Sequence, residues 1–151
     1  MPILTVPSLE FPTIQSAVKA AVPGDIVEIL QGTYSENVVV QGKNNITIRG
    51  RENDSVGIIP IVEDTIGIDI SKDSSKITIE NINIFNFAAG ILLKGNKCRL
   101  LDIGINDSKF NGVELRGNEN LLRNIRFVQN LTGLGIDGDS NIIANNVFLE
   151  I

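Results

Sequence analysis

Apolar residues recur along this chain in short runs with a period of two, interrupted every few positions by Gly, Asn or Asp. Ile77-Thr78-Ile79 and Asn81-Ile82-Asn83-Ile84 are typical. A period of two puts alternate side chains on one side of the backbone, which predicts strands rather than helices. A longer repeat orders the runs. Four segments start in register at Gly67, Gly90, Gly112 and Gly133, with spacings of 23, 22 and 21 residues. Five residues after the last three come Gly95-Asn96, Gly117-Asn118 and Gly138-Asp139, pairs that favour tight turns, whereas the first copy has Lys72-Asp73. A second column, Asn81, Asp102, Asn124 and Asn145, recurs at spacings of 21, 22 and 21. A weaker copy runs from Val38 to Ile48 through Gly42 and Asn45.

Two columns with one period of about 22 residues mark the coil of a solenoid. A leucine-rich repeat has a similar length, but its Leu framework and helical return are not visible. Three short strands and three turns per unit predict an all-β chain, a right-handed parallel β-helix of about six coils. Coils stack about 4.8 Å apart, so equivalent residues form ladders. The column Asn81, Asp102, Asn124 and Asn145 is expected at one corner, with its amides bonding neighbouring coils and the turn backbone.

The two ends read differently. Thr13 to Ala21 places Ile14, Ala17, Val18 and Ala21 on one helical face, with Thr13 as N-cap and Pro23-Gly24 as stop. A short helix there would cap the stack. The chain is therefore expected to be one domain, 1–151, with strand and cap helix in 1–24 and coils in 25–151. No such cap is legible at the other end. Val147, Phe148, Leu149 and Ile151 still read as strand and are candidate interface residues, so a homo-oligomer joined through the C-terminal coil is expected.

Composition supports this picture. Ile is β-branched and numbers 24, aromatics are scarce and Trp is absent, which suits packed strands. Gly and Asn are abundant, and both tolerate positive φ at turns. The net charge of −5 shows no basic footprint, so no nucleic acid partner is expected. No stretch approaches transmembrane length, so no membrane insertion is expected. The start, Met1-Pro2-Ile3-Leu4, lacks the pattern of an export signal. That predicts a cytoplasmic protein by default, with non-classical delivery to a cell or spore surface as the alternative. The sequons at Asn45, Asn53, Asn106 and Asn130 follow from a chain rich in Asn, Ser and Thr. Cys98 lies among apolar neighbours and reads as a small buried residue.

The run Thr13-Ile14-Gln15, then Pro23-Gly24-Asp25, then Gly32-Thr33-Tyr34-Ser35-Glu36-Asn37-Val38 resembles the opening of pectin-lyase-like β-helix proteins, among them pectin methylesterases and carbohydrate-associated β-helix repeat proteins. The resemblance covers about 40 residues. It implies a cap helix and first coil, with Tyr34 and Glu36 in structural roles, and it says nothing about activity. The catalytic signatures of these enzymes do not follow. There is no His and no Trp, and neither an Asn-Thr-Asp motif nor an adjacent Asp pair occurs. Pectate lyases, which use clustered acids for Ca²⁺ and an Arg or Lys base, leave less signature.

The glycine register predicts the solvent-facing positions of one sheet. Asp69, Glu114 and, four after each Gly, Lys94, Arg116 and Asp137 are the candidate ligand-binding residues. Arg116 and Asp137 are expected to pair across adjacent coils. Asp69 and Glu114 lie two coils apart, roughly 10 Å, too far to share one ion. Asp137-Gly138-Asp139 matches only a fragment of a Ca²⁺ loop. No catalytic residue, metal ligand or cofactor is assigned, and Ca²⁺ stays as a minor alternative. Three functions stay open: a non-catalytic module acting by self-assembly or surface presentation, a carbohydrate-binding module, and a Ca²⁺-dependent polysaccharide-lyase-like enzyme.

Overall fold

The computed structural model describes residues 2–150. In chain order they form β1 (Ile3–Val6), α1 (Ile14–Ala20), β2 (Ile26–Ile29), β3 (Gly32–Ser35), β4 (Val38–Val40), β5 (Thr47–Gly50), β6 (Val56–Ile59) and β7 (Ile66–Ile70). There follow β8 (Thr78–Phe85), β9 (Ala89–Leu93), β10 (Arg99–Asn106), β11 (Asn111–Leu115), β12 (Leu121–Val128), β13 (Thr132–Ile136), β14 (Ile142–Ala144) and β15 (Val147–Leu149). The strands wind into a right-handed parallel β-helix of about seven turns. One wall, sheet A, runs β1-β2-β5-β8-β10-β12-β14, with β3, β6 and β15 paired off this path. The other wall, sheet B, runs β4-β7-β9-β11-β13. The turn beyond the expected six is β1, which pairs with β2 ahead of the first repeat.

Three columns of non-glycine residues shape the coil. Asn45, Lys76, Lys97, Glu119 and Ser140 form the first, Asn81, Asp102, Asn124 and Asn145 the second, and Asn86, Asp107 and Gln129 the third. All hold φ between 53° and 66°, the small left-handed region that bends an extended chain sharply. The first column advances by 31 residues from Asn45 to Lys76 and by only 21 from Lys76 to Lys97. Loops at 51–55 and 60–65 lengthen the earlier coil, which is why its repeat is weak in sequence.

The column Asn81, Asp102, Asn124 and Asn145 therefore turns a corner by its backbone. Asn81 Nδ2 also donates to the Gly50 and Arg51 carbonyls at 3.1 and 3.2 Å. Cross-coil amide bonding is carried chiefly by other asparagines. Asn96 Oδ1 accepts from the Asn118 N–H, and Asn118 Oδ1 from the Asp139 N–H, both at 2.8 Å. Inside the stack Asn120 accepts from the Cys98 N–H at 2.8 Å and donates to the Gly95 carbonyl at 3.1 Å. Asn141 repeats this one coil on, with the Asn120 N–H and the Gly117 carbonyl.

The repeated glycines serve proximity rather than positive φ. A Cβ on Gly112 would lie 2.7 Å from the Gly133 carbonyl oxygen and 2.8 Å from the Phe127 ring. One on Gly117 would lie 1.8 Å from the Gly95 oxygen. The turn role expected of these glycines thus gives way to close packing of one coil on the next. Between the walls the core is columnar. Ile68, Ile91 and Val113 stack under sheet B, and Ile48, Ile79, Leu100 and Leu122 under sheet A, all buried.

Helix α1 closes the first coil with Ile14, Ala17 and Val18 buried. Thr13 and Ser16 form a capping box. Glu36 accepts from the Ile14 and Gln15 N–H groups at 2.9 and 3.0 Å, placing a carboxylate at the helix start. The Gln15 amide bonds both backbone groups of Val39, and Asp25 Oδ2 accepts from the Val22 N–H at 2.9 Å. The opening motif is accounted for by these contacts. At the other end Val147, Phe148 and Leu149 are exposed, while the Phe148 ring stacks on Phe127 at 4.6 Å. Ile151 lies outside the described residues.

Candidate functional site

The outer row of sheet B carries the charged residues expected from the glycine register. Strand pairing puts Asp69 beside Leu92 and Leu92 beside Glu114, so the two acids lie two coils apart. Lys94 Nζ stands 3.4 Å from Asp69 Oδ1, although that oxygen accepts no hydrogen bond. Arg116 grips Glu114 Oε1 through Nη2 at 2.8 Å and Nε at 3.2 Å. The expected pairing of Arg116 with Asp137 is replaced by this contact. Glu114 sits two positions earlier on the same outer face, so the guanidinium folds back along its own strand. Sheet B thus presents two self-neutralised ion pairs and an Asp137 without a cationic partner among the described residues.

Sheet A holds the larger concavity. An open groove of about 850 Å³ crosses β2, β5, β8 and β10 and is lined by Glu28, Arg49, Arg51, Glu52, Glu80 and Asp102. Period-two alternation puts Glu28, Arg49 and Glu80 on the outer face, and in-register pairing aligns them across adjacent coils. Arg49 Nη2 donates to Glu28 Oε2 at 3.2 Å, and Arg51 Nε lies 3.1 Å from Asp54 Oδ2. Glu52, Glu80 and Asp102 have no cationic partner among the described residues. The groove is acidic, with four carboxylates against two guanidinium groups. Of these only Asp102 stood out in sequence, as a corner residue, because the glycine register tracks sheet B. The signal was present in the outward position four residues after the first left-handed column, which holds Arg49 and Glu80.

Other reactive groups are tied to structure. Tyr34 donates its hydroxyl to the Leu30 carbonyl at 2.7 Å, and burial, then Glu36 and Asp54, push its phenol up. Burial also pushes the Cys98 thiol up, despite two backbone hydrogen bonds that oppose the shift. Among the described residues no three Cys, Asp or Glu side chains converge as a metal site. No helix is long and apolar enough to cross a membrane.

No family model matches the chain, and no curated protein matches it. Its fold does recur in solved structures. It superposes on an alginate lyase from Paenibacillus sp. str. FPU-7 with a TM-score of 0.67 and 16% identity, over 88% of this chain and 54% of that one. It superposes on the ORF18 protein of Geobacillus virus E2 with a TM-score of 0.59 and 18% identity, over 89% of this chain and 37% of that one. The chain therefore spans about half the length of the lyase and less of the viral protein. At these identities the likeness is one of fold.

Proposed function

We propose that this chain is a pectin-lyase-like β-helix module that holds a polysaccharide in the groove of sheet A, without chemistry of its own. The groove itself carries this reading. It runs across four coils whose equivalent residues repeat about every 4.8 Å, a pitch close to that of a linear sugar chain. Its volume is in the range of ligand sites, and its walls offer carboxylates, guanidinium groups and amides to hydroxyls. The alginate lyase among its fold neighbours agrees with a carbohydrate setting. A lyase-like reaction on sheet B fits less well, since Lys94 and Arg116 are each paired with an acid of their own sheet.

Calorimetric titration against a panel of soluble polysaccharides tests the proposal. At least one should bind, and Glu80→Ala with Arg49→Ala should weaken it roughly tenfold, the loss of one or two charge-assisted hydrogen bonds. Absence of binding across the panel would sink the reading. Release of unsaturated product that depends on Ca²⁺ would replace it with the lyase.

A second reading, self-association, rests on the exposed row Val147, Phe148 and Leu149. Their strand β15 pairs with β12 on one side and leaves its other edge without a paired strand among the described residues.

A further inference from the structure

Cations on this molecule divide into two populations. Lys94, Lys109, Arg49, Arg51 and Arg116 each meet a carboxylate, and Lys43 Nζ bonds the Lys19 and Ala21 carbonyls at the end of α1. Lys19, Lys72, Arg123 and Arg126 do not among the described residues, and neither do Lys76, Lys97 and Arg99, although the chain has 18 acidic residues against 13 basic ones. These three line one open depression of about 270 Å³ on the entry side of sheet A, together with Asn45, Thr47 and Thr78.

Stability does not explain the arrangement. Lys76 and Lys97 occupy the same corner on successive coils, so two residues of like charge follow one another there. Both also hold left-handed φ, 55° and 56°, where Gly or Asn is the less strained choice. Arg99 follows Lys97 by two residues. Its Nη2 lies 3.3 Å from Thr78 Oγ1, which holds one edge of the guanidinium against a nearly buried Thr. Two ammonium groups and an oriented guanidinium, beside hydroxyls and an amide, are a cationic donor set without a carboxylate.

We propose that this depression is an oxyanion-binding site, with Lys76, Lys97 and Arg99 as its ligands to a sulfate, carboxylate or phosphate group. A planar guanidinium offers two parallel N–H donors to such a group, and the two ammonium groups supply charge. The site is separate from the acidic groove: Thr47 and Thr78 sit two positions before the groove's Arg49 and Glu80, Lys76 and Lys97 lie just ahead of β8 and β10, and its charge is opposite. It goes beyond the polysaccharide reading and stands or falls independently.

Titration at low ionic strength with inorganic sulfate, and with dextran sulfate against neutral dextran, tests it. The expected result is sulfate binding that weakens roughly tenfold, the worth of one charge-assisted contact, in Lys97→Gln with Arg99→Gln. Lys76→Gln with Lys97→Gln should do the same. Lys19→Gln with Lys109→Gln changes net charge equally and should leave affinity unchanged. All these side chains are exposed, and a thermal melt checks that each variant is folded. A large gain for dextran sulfate over sulfate assigns the site to anions carried on a polymer; no gain assigns it to the free ion. Equal weakening by both kinds of double variant, or no binding of either sulfate ligand, overturns the proposal. Binding of neutral dextran at the acidic groove has no bearing on it, so the two readings fail separately.

Discussion

Single side chains decide this fold by how they reach the next coil. Asn120 is buried and satisfies two backbone groups of the preceding coil, the Cys98 N–H and the Gly95 carbonyl. Replacing it with Ala leaves both unpaired in a dry site, at a cost of about 1–3 kcal/mol. Urea unfolding should show the loss as a lower midpoint at unchanged slope. Glu119 presents the opposite case. Its φ of 58° strains a residue with a Cβ, and its side chain makes no ion pair among the described residues. Glu119→Gly should therefore be neutral to stabilising by about 1 kcal/mol, the strain relieved less the added freedom of the unfolded chain. Cys98 supplies a pH signature. Its thiol is raised in the folded chain, so native and unfolded states bind equal protons below the ordinary thiol value. Above it the unfolded state ionises first, and this contribution to stability falls as the pH rises through the raised folded value. Slow native alkylation that accelerates on unfolding would check the assignment; fast native alkylation would contradict it.

At the scale of elements, the glycine column sets how closely coils stack. Gly112→Ala drives a Cβ onto the Gly133 carbonyl and the Phe127 ring, both fixed parts of the wall, so the coil must shift. Overpacking of this kind costs about 1–3 kcal/mol. Gly24→Ala makes a useful comparison: its Cβ would meet nothing, and its penalty comes from φ of 95° alone. The period of two and the 22-residue repeat were legible because they follow from pleating and coil closure, which act on every unit. The asparagine ladder was misplaced because sequence shows which column repeats, not which way its amides point. Asn120 and Asn141 repeat only twice, and in earlier coils Ile46, Ile77 and Cys98 fill the same column. Arg116 pairing with Glu114 was missed for a similar reason. Register fixes neighbours, but a long side chain chooses among several of them.

For the whole molecule, the difference between its ends has the largest physical consequence. At the start, α1 packs Ile14, Ala17 and Val18 over the first coil and Glu36 bonds the first turn of the helix, while Ile3 and Leu9 stay exposed. At the far end Phe148 stacks on Phe127 with one ring face and is about half exposed, beside Val147 and Leu149. Association through this row on both copies would be tail to tail, using the same patch on each, and such a contact closes at a dimer instead of growing into a filament. Light scattering of the 151-residue chain at rising concentration should move from monomer to dimer mass and stop there. Phe148→Asp should hold the chain at monomer mass while leaving the near end intact. Open-ended growth would show that the cap does not block stacking, and a monomer at every concentration would remove self-association as a role for this face.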